Sequence, residues 1–121
     1  MGRCLTFSTS GELIRVPSEA VVIITADGNY SVVSLADGSE YVVNLQLGQI
    51  ERKLMDFVTD NDNRFIRIGK KLIVNREYIS YINPARQKLI VSDCRTFKHE
   101  ATASREALKA LKEYLEQEER L

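Results

Sequence analysis

A period of two, repeated in short runs, constrains this chain more than any other feature. From "RCLTF" (3–7) to "TFKHEA" (96–101), β-branched and aromatic residues alternate or cluster in stretches of four to seven, separated by turn-forming residues. Side chains two apart share one face of a strand, so such runs read as half-buried β structure. "ELIRV" (12–16) follows "RCLTF" across Ser8-Thr9-Ser10-Gly11, a hairpin loop. "AVVIITA" (20–26) is apolar throughout and predicts a strand covered on both faces. "ADGNY" (26–30) is a turn, and "YSVVSL" (30–35) and "EYVVN" (40–44) flank Asp37-Gly38, a two-residue hairpin signal. After a polar loop at 59–64 the same grammar resumes with "FIRI", "LIVN" and "YISYI". Asn83-Pro84-Ala85-Arg86 then makes a turn, followed by "KLIVS", the tight turn Asp93-Cys94 and "TFKHEA".

The period changes twice. In "NLQLGQIERKLMDF" (44–57), Leu47, Ile50 and Leu54 form one helical stripe, with Asn44 placed to cap its start. Gly48 weakens that helix and predicts a short one. In "SREALKALKEYLEQEER" (104–120), Ser104 is an N-cap and Leu108, Leu111 and Leu115 form the buried stripe. The expected fold is mainly β: about nine or ten short strands, one short internal helix and a C-terminal helix. At 121 residues this is one domain over 1–121.

Charge narrows the function. The formal net charge is zero, but from Arg64 to Arg105 ten basic residues face three acidic ones, a net of +7. The remaining residues carry seven basic and fourteen acidic, a net of −7. Screening confines electrostatics to about 8–10 Å at physiological salt, so a polyanion meets the local field and not the sum. A basic face on a neutral chain therefore remains compatible with nucleic acid.

Enzyme chemistry finds no constellation here. His99, the one histidine, sits in an alternating strand between Lys98 and Glu100 with no spaced ligand partner, and metal sites need three or four converging ligands. Cys94 has no neighbouring base. Cys4 and Cys94 are too few for a disulfide framework, which points to a reducing cytoplasm. The start, "MGRCLTFSTSG", lacks the layout of a secretory signal, and no apolar run reaches the roughly 18–20 residues of a membrane span. No enzyme, cofactor, metal or membrane insertion is expected.

Four passages, in order, resemble the LytTR-type DNA-binding domains of bacterial transcriptional regulators. "TADGNYSVVSLADGSEYVV" (25–43) resembles the family's Glu-Ala-x-Gly-Asn-Tyr element and its hairpin. "LQLGQIERKL" (45–54) resembles its short amphipathic helix. "FIRIGKKLIVNREYISYI" (65–82) resembles its hallmark Phe-x-Arg-x-His-Arg-Ser-x-x-Val-Asn, and "ATASREALKAL" (101–111) its closing strand, Ser-Arg and final helix. The likeness spans about residues 5–112. Two departures stand out: Gly69-Lys70-Lys71 replaces His-Arg-Ser, and Thr25 replaces the glutamate of the first motif.

The resemblance implies an elongated arrangement of small antiparallel sheets that inserts loops, not a recognition helix, into successive major grooves of duplex DNA. It implies promoter direct repeats as sites and pairing of protomers on DNA. Many relatives carry a receiver domain, for which this chain has no room, so regulation would come from abundance, self-association or a partner protein. The alternative is a protein-interaction module that keeps the fold with reduced or lost DNA binding, motivated by Gly69 standing where the family has histidine.

Eight residues carry the expected DNA contacts. Asn29 lies in the family's first DNA-facing loop, where its amide either pairs with adenine or only suits a left-handed turn. Tyr30 beside it reads as packing. Lys70, at the family's central contact position, reaches guanine or phosphate, and Lys71 reads as a phosphate partner. Gly69 permits close backbone approach. Arg67 either supports the loop or binds phosphate. Ser104 caps the last helix, Arg105 matches the family's Ser-Arg and can reach a guanine edge, and Lys98 is a phosphate candidate. Asn75, by contrast, reads as structural, its amide satisfying backbone groups. The expectation that joins these residues is spatial: the 69–71 tip and the Ser104-Arg105 corner should be exposed on one side of the molecule.

Overall fold

The continuously apolar run at 20–26 forms the middle strand of the molecule. The structure, a computed structural model, describes residues 4–57 and 64–118. A first hairpin pairs β1 (Cys4–Ser8) with β2 (Leu13–Pro17). Then come β3 (Val21–Asp27), β4 (Tyr30–Leu35), β5 (Glu40–Val43) and α1 (Leu47–Phe57). After them follow β6 (Phe65–Ile68), β7 (Leu72–Asn75), β8 (Ile79–Asn83), β9 (Lys88–Ser92), β10 (Lys98–Thr102) and α2 (Arg105–Glu118). Among the described residues the ten strands make three antiparallel sheets, ordered β1-β2, β5-β4-β3-β7-β6 and β10-β9-β8. The mainly β fold of small sheets with two helices is as expected.

Two cores lie on the two faces of the five-stranded sheet. Val21 and Ile24 enter one, with Leu5, Phe7, Val33, Ile50 and Ile73; Val22 and Ile23 enter the other, with Ile68, Val74, Leu89 and Leu108. Strict alternation would put Val22 and Ile24 together. A register shift between Val21 and Ile23 places an extra residue in β3 and swaps the faces. The β1–β2 hairpin and α1 thus cover one face, and the three-stranded sheet and α2 the other. Each fully buried aliphatic side chain contributes roughly 1.5–3 kcal/mol, whereas an exposed ion pair contributes about 0.2–1. Pairs such as Lys112 with Glu116 therefore decorate an architecture that layer packing has already set.

Local details depart from the sequence reading in three places. The β4–β5 loop runs over residues 36–39 and not two residues, because the Ala36 N–H leaves the ladder to bond the Ala20 carbonyl at 2.9 Å. Within that loop Asp37 Oδ1 accepts the Ser39 N–H at 2.9 Å, which holds the Asp37 carboxyl below its usual range. Asn44 does not cap α1: the helix starts at Leu47, and Gln49 Oε1 accepts the Gln46 N–H at 2.8 Å. Tyr78, read as the start of a strand, belongs to a single 3-10 turn, Arg76–Tyr78. The polar loop expected at 59–64 lies, apart from Arg64, outside the described residues. Two polar side chains sit wholly inside. Ser31 Oγ donates to the Leu45 carbonyl at 2.8 Å, and Asn75 bonds backbone groups on both its sides.

Candidate nucleic-acid interface

Antiparallel pairing decides which turns share an end. In the five-stranded sheet Asp27 pairs with Tyr30, and Thr25 and Ile68 each pair with Leu72. The turns at 27–30 and 69–71 therefore leave the sheet side by side, and the Ala26 N–H donates to the Lys71 carbonyl at 2.9 Å. Val43 pairs with Ser31, so β5 delivers Gln46 and the start of α1 to this same end. In the three-stranded sheet Lys88 pairs with both Asn83 and Thr102, which brings the 84–87 turn beside the approach to α2.

The two ends meet. Gly69, Lys70 and Lys71 line one open concavity with Gln87, Ala103 and Ser104, of about 510 Å³. A Cβ built on Gly69 would stand 3.9 Å from the Ala107 Cβ, so the tip lies against the first turn of α2. That is an ordinary contact distance. What asks for glycine is the backbone, with φ at +60°. Gly69, Lys70, Lys71, Ser104 and Arg105 are all exposed. The tip and the corner are therefore on one side of the molecule, accessible together.

Each expected side chain has a definite setting. Ser104 Oγ accepts the Ala107 N–H at 3.1 Å, the cap read from the sequence. Arg105 opens α2 beside it. Among the described residues Lys70, Lys71 and Arg105 have no carboxylate partner, whereas Arg67, Arg76, Lys88 and Lys112 are each paired with a glutamate. Asn29 Oδ1 accepts from Gln46 Nε2 at 3.3 Å, and the left-handed residue of its turn is Gly28, φ +65°, so no backbone demand accounts for an asparagine there. Tyr30, read as packing, is half exposed at 49%. Arg67 turns inward, to Glu51 and to the carbonyls of Gly69 and Lys70. Lys98 is exposed but begins β10, four residues or about 13 Å of strand before Thr102. The fold brings seven of the eight candidates to this end and leaves Lys98 toward the other.

The sequence reading missed Gln87 and Gln46. Gln87 adopts φ +55°, and its backbone carbonyl accepts the Ala103 N–H at 3.4 Å, fastening the 84–87 turn to the corner. No residue type advertises this; it follows from the order of strands in the sheet. At the far end of that sheet Asp93 organises the 93–97 turn. Its carboxylate accepts the Thr96 hydroxyl and the N–H groups of Arg95, Thr96 and Phe97. These donors, the Thr96 hydroxyl foremost, hold it well below the usual carboxylate range. Among the described residues no three His, Cys, Asp or Glu side chains are grouped to hold a metal, and no helix is long and apolar enough to cross a membrane.

Residues 11–116 match the family model described as the LytTr DNA-binding domain. A solved LytTr DNA-binding domain from Bacillus cereus superposes with a TM-score of 0.65, covering 93% of this chain and 96% of that one at 20% identity. No curated protein matched.

Proposed function

The chain belongs to the LytTR DNA-binding domain family, a DNA-binding fold and not an enzyme family, and on that premise we propose that it is a sequence-specific regulator of transcription. What supports the reading is the one concavity shared by the Gly69–Lys71 tip and the Ala103–Ser104 corner. Two loops joined in this way can enter a major groove and the flanking backbone together. The ammonium groups of Lys70 and Lys71 supply charge without arginine's bidentate fork, so they serve phosphate more than base identity. Arg105 has that fork and is the base reader of the set, with guanine as its natural partner. Asn29, on the neighbouring turn, offers an amide to adenine. On this reading the protein acts in the bacterial cytoplasm at promoter direct repeats, with protomers pairing on DNA, and is tuned by its abundance or by a partner protein.

The test is a titration of the full chain against genomic fragments, including the region upstream of its own gene, at several salt concentrations. With about five phosphates neutralised, log K falls with a slope near −4 to −5 against log salt. Lys71→Ala weakens all sequences alike and flattens that slope by about one, while Arg105→Ala costs about 1–3 kcal/mol mainly on the preferred site. Absence of binding to every fragment at low salt would reject the reading and favour a protein-interaction role for the same fold.

A further inference from the structure

The guanidinium of Arg67 joins two layers of the molecule at the tip. Its neighbours on β6, Ile66 and Ile68, pack into the core beneath α2, so the strand's alternation sends Arg67 to the opposite face, where α1 lies. There Nη1 donates to Glu51 Oε1 at 2.6 Å. Nε donates to the Gly69 carbonyl at 3.1 Å, and Nη2 to the Lys70 carbonyl at 3.4 Å. Those carbonyls belong to the turn left outside the ladder once Ile68 has paired with Leu72. The turn itself is exposed, so what holds its shape is geometry: a planar fork of five N–H groups can serve two carbonyls and a carboxylate at once. A lysine ammonium has neither the reach nor the geometry.

We propose that Arg67, anchored by Glu51, is a positioning residue that fixes the shape of the 69–71 tip and acts on DNA through Lys70 and Lys71, without touching phosphate itself. The inference rests on the DNA-binding reading above and adds a consequence with an unusual sign. Glu51 is an anion near a DNA-binding tip, and Coulomb repulsion alone would make it a hindrance. As the anchor of Arg67 it favours binding instead, because a turn already in its bound shape loses less conformational freedom on docking.

The experiment uses the full chain, its Glu51→Gln and Arg67→Lys variants, and two readouts. The first is amide hydrogen exchange by NMR without DNA. The amides of residues 69–71 exchange roughly fivefold faster or more in both variants, while those of β3 keep the parental rate. The second is affinity for the best-bound genomic fragment across salt. Glu51→Gln binds about three- to tenfold more weakly with an unchanged salt slope, and Arg67→Lys weakens similarly although its charge is kept. Tighter binding by Glu51→Gln, or a slope steeper by about 0.9 from a freed Arg67 reaching phosphate, overturns the proposal. So does parental affinity in Arg67→Lys, or unaltered exchange at the tip. If the parent binds no fragment while the tip loosens in both variants, the DNA-binding reading falls and the positioning role of Arg67 stands.

Discussion

Asn75 ends β7 with no exposed surface, and an amide cut off from water must find its partners inside the protein. Nδ2 donates to the Val21 carbonyl at 2.8 Å, and Oδ1 accepts the Glu77 N–H at 3.0 Å. One side chain therefore ties β7 to the start of β3 and caps the 3-10 turn that leads into β8. Asn75→Ala leaves a carbonyl and an N–H unpartnered, and we expect a loss of about 2–4 kcal/mol. Urea unfolding with an unchanged m-value checks this; a loss below 1 kcal/mol would mean that water or a shifted backbone replaces the amide. The structural role of Asn75 was legible because an amide closing the apolar run "LIVN" has no reason to be there unless it satisfies backbone. The setting of Asn29 was not legible. Its partner Gln46 lies 17 residues away, and only the pairing of β4 with β5 brings the two together.

At the scale of elements, caps and turns show where local chemistry decides and where it yields. Ser104 and Asn44 are both good N-cap types, yet only Ser104 caps. The residues after Asn44 are claimed first by tertiary packing: Leu45 packs on the first core and its carbonyl accepts from Ser31, so the helix starts at Leu47. The 93–97 turn is decided locally, by one carboxylate with four donors on it. Because the folded structure holds the Asp93 pKa below its ordinary 3.8, the carboxylate contributes stability that is fully present above about pH 4 and is lost as pH falls further. Asp93→Asn should therefore be less stable than the parent at pH 6, and the gap should narrow steadily from about pH 4 downward. Urea midpoints of both proteins across that range test the sign; a gap that stays constant to pH 2.5 would show that the charge on Asp93 is irrelevant to the turn.

For the whole molecule, periodicity made the strands legible, while their arrangement in small antiparallel sheets was implied only by the family resemblance. Alternation reports that a run has a buried face, and "AVVIITA" reported two, but neither says which turns will end up adjacent. That information lies in strand order and in the β3 bulge, which no turn residue marks. The consequence is that the candidate interface depends on one core more than on the other. Leu108 is fully buried in the core between α2 and the sheets, directly behind the Ser104-Arg105 corner. Leu5 is equally buried but belongs to the core on the opposite face, under the β1–β2 hairpin. Leu108→Ala and Leu5→Ala should each destabilise by about 2–5 kcal/mol, since both remove the same atoms from a packed interior. Under conditions where both variants stay folded, their DNA affinities should nevertheless part. Leu108→Ala lets α2 shift against the Gly69–Lys71 tip, and misplacement by about 0.5 Å is enough to degrade a two-loop site, so it should bind roughly threefold or more weakly. Leu5→Ala leaves the tip and the corner in register and should bind like the parent. Equal losses of affinity would mean that binding follows global stability, and that the two cores do not act on the interface separately.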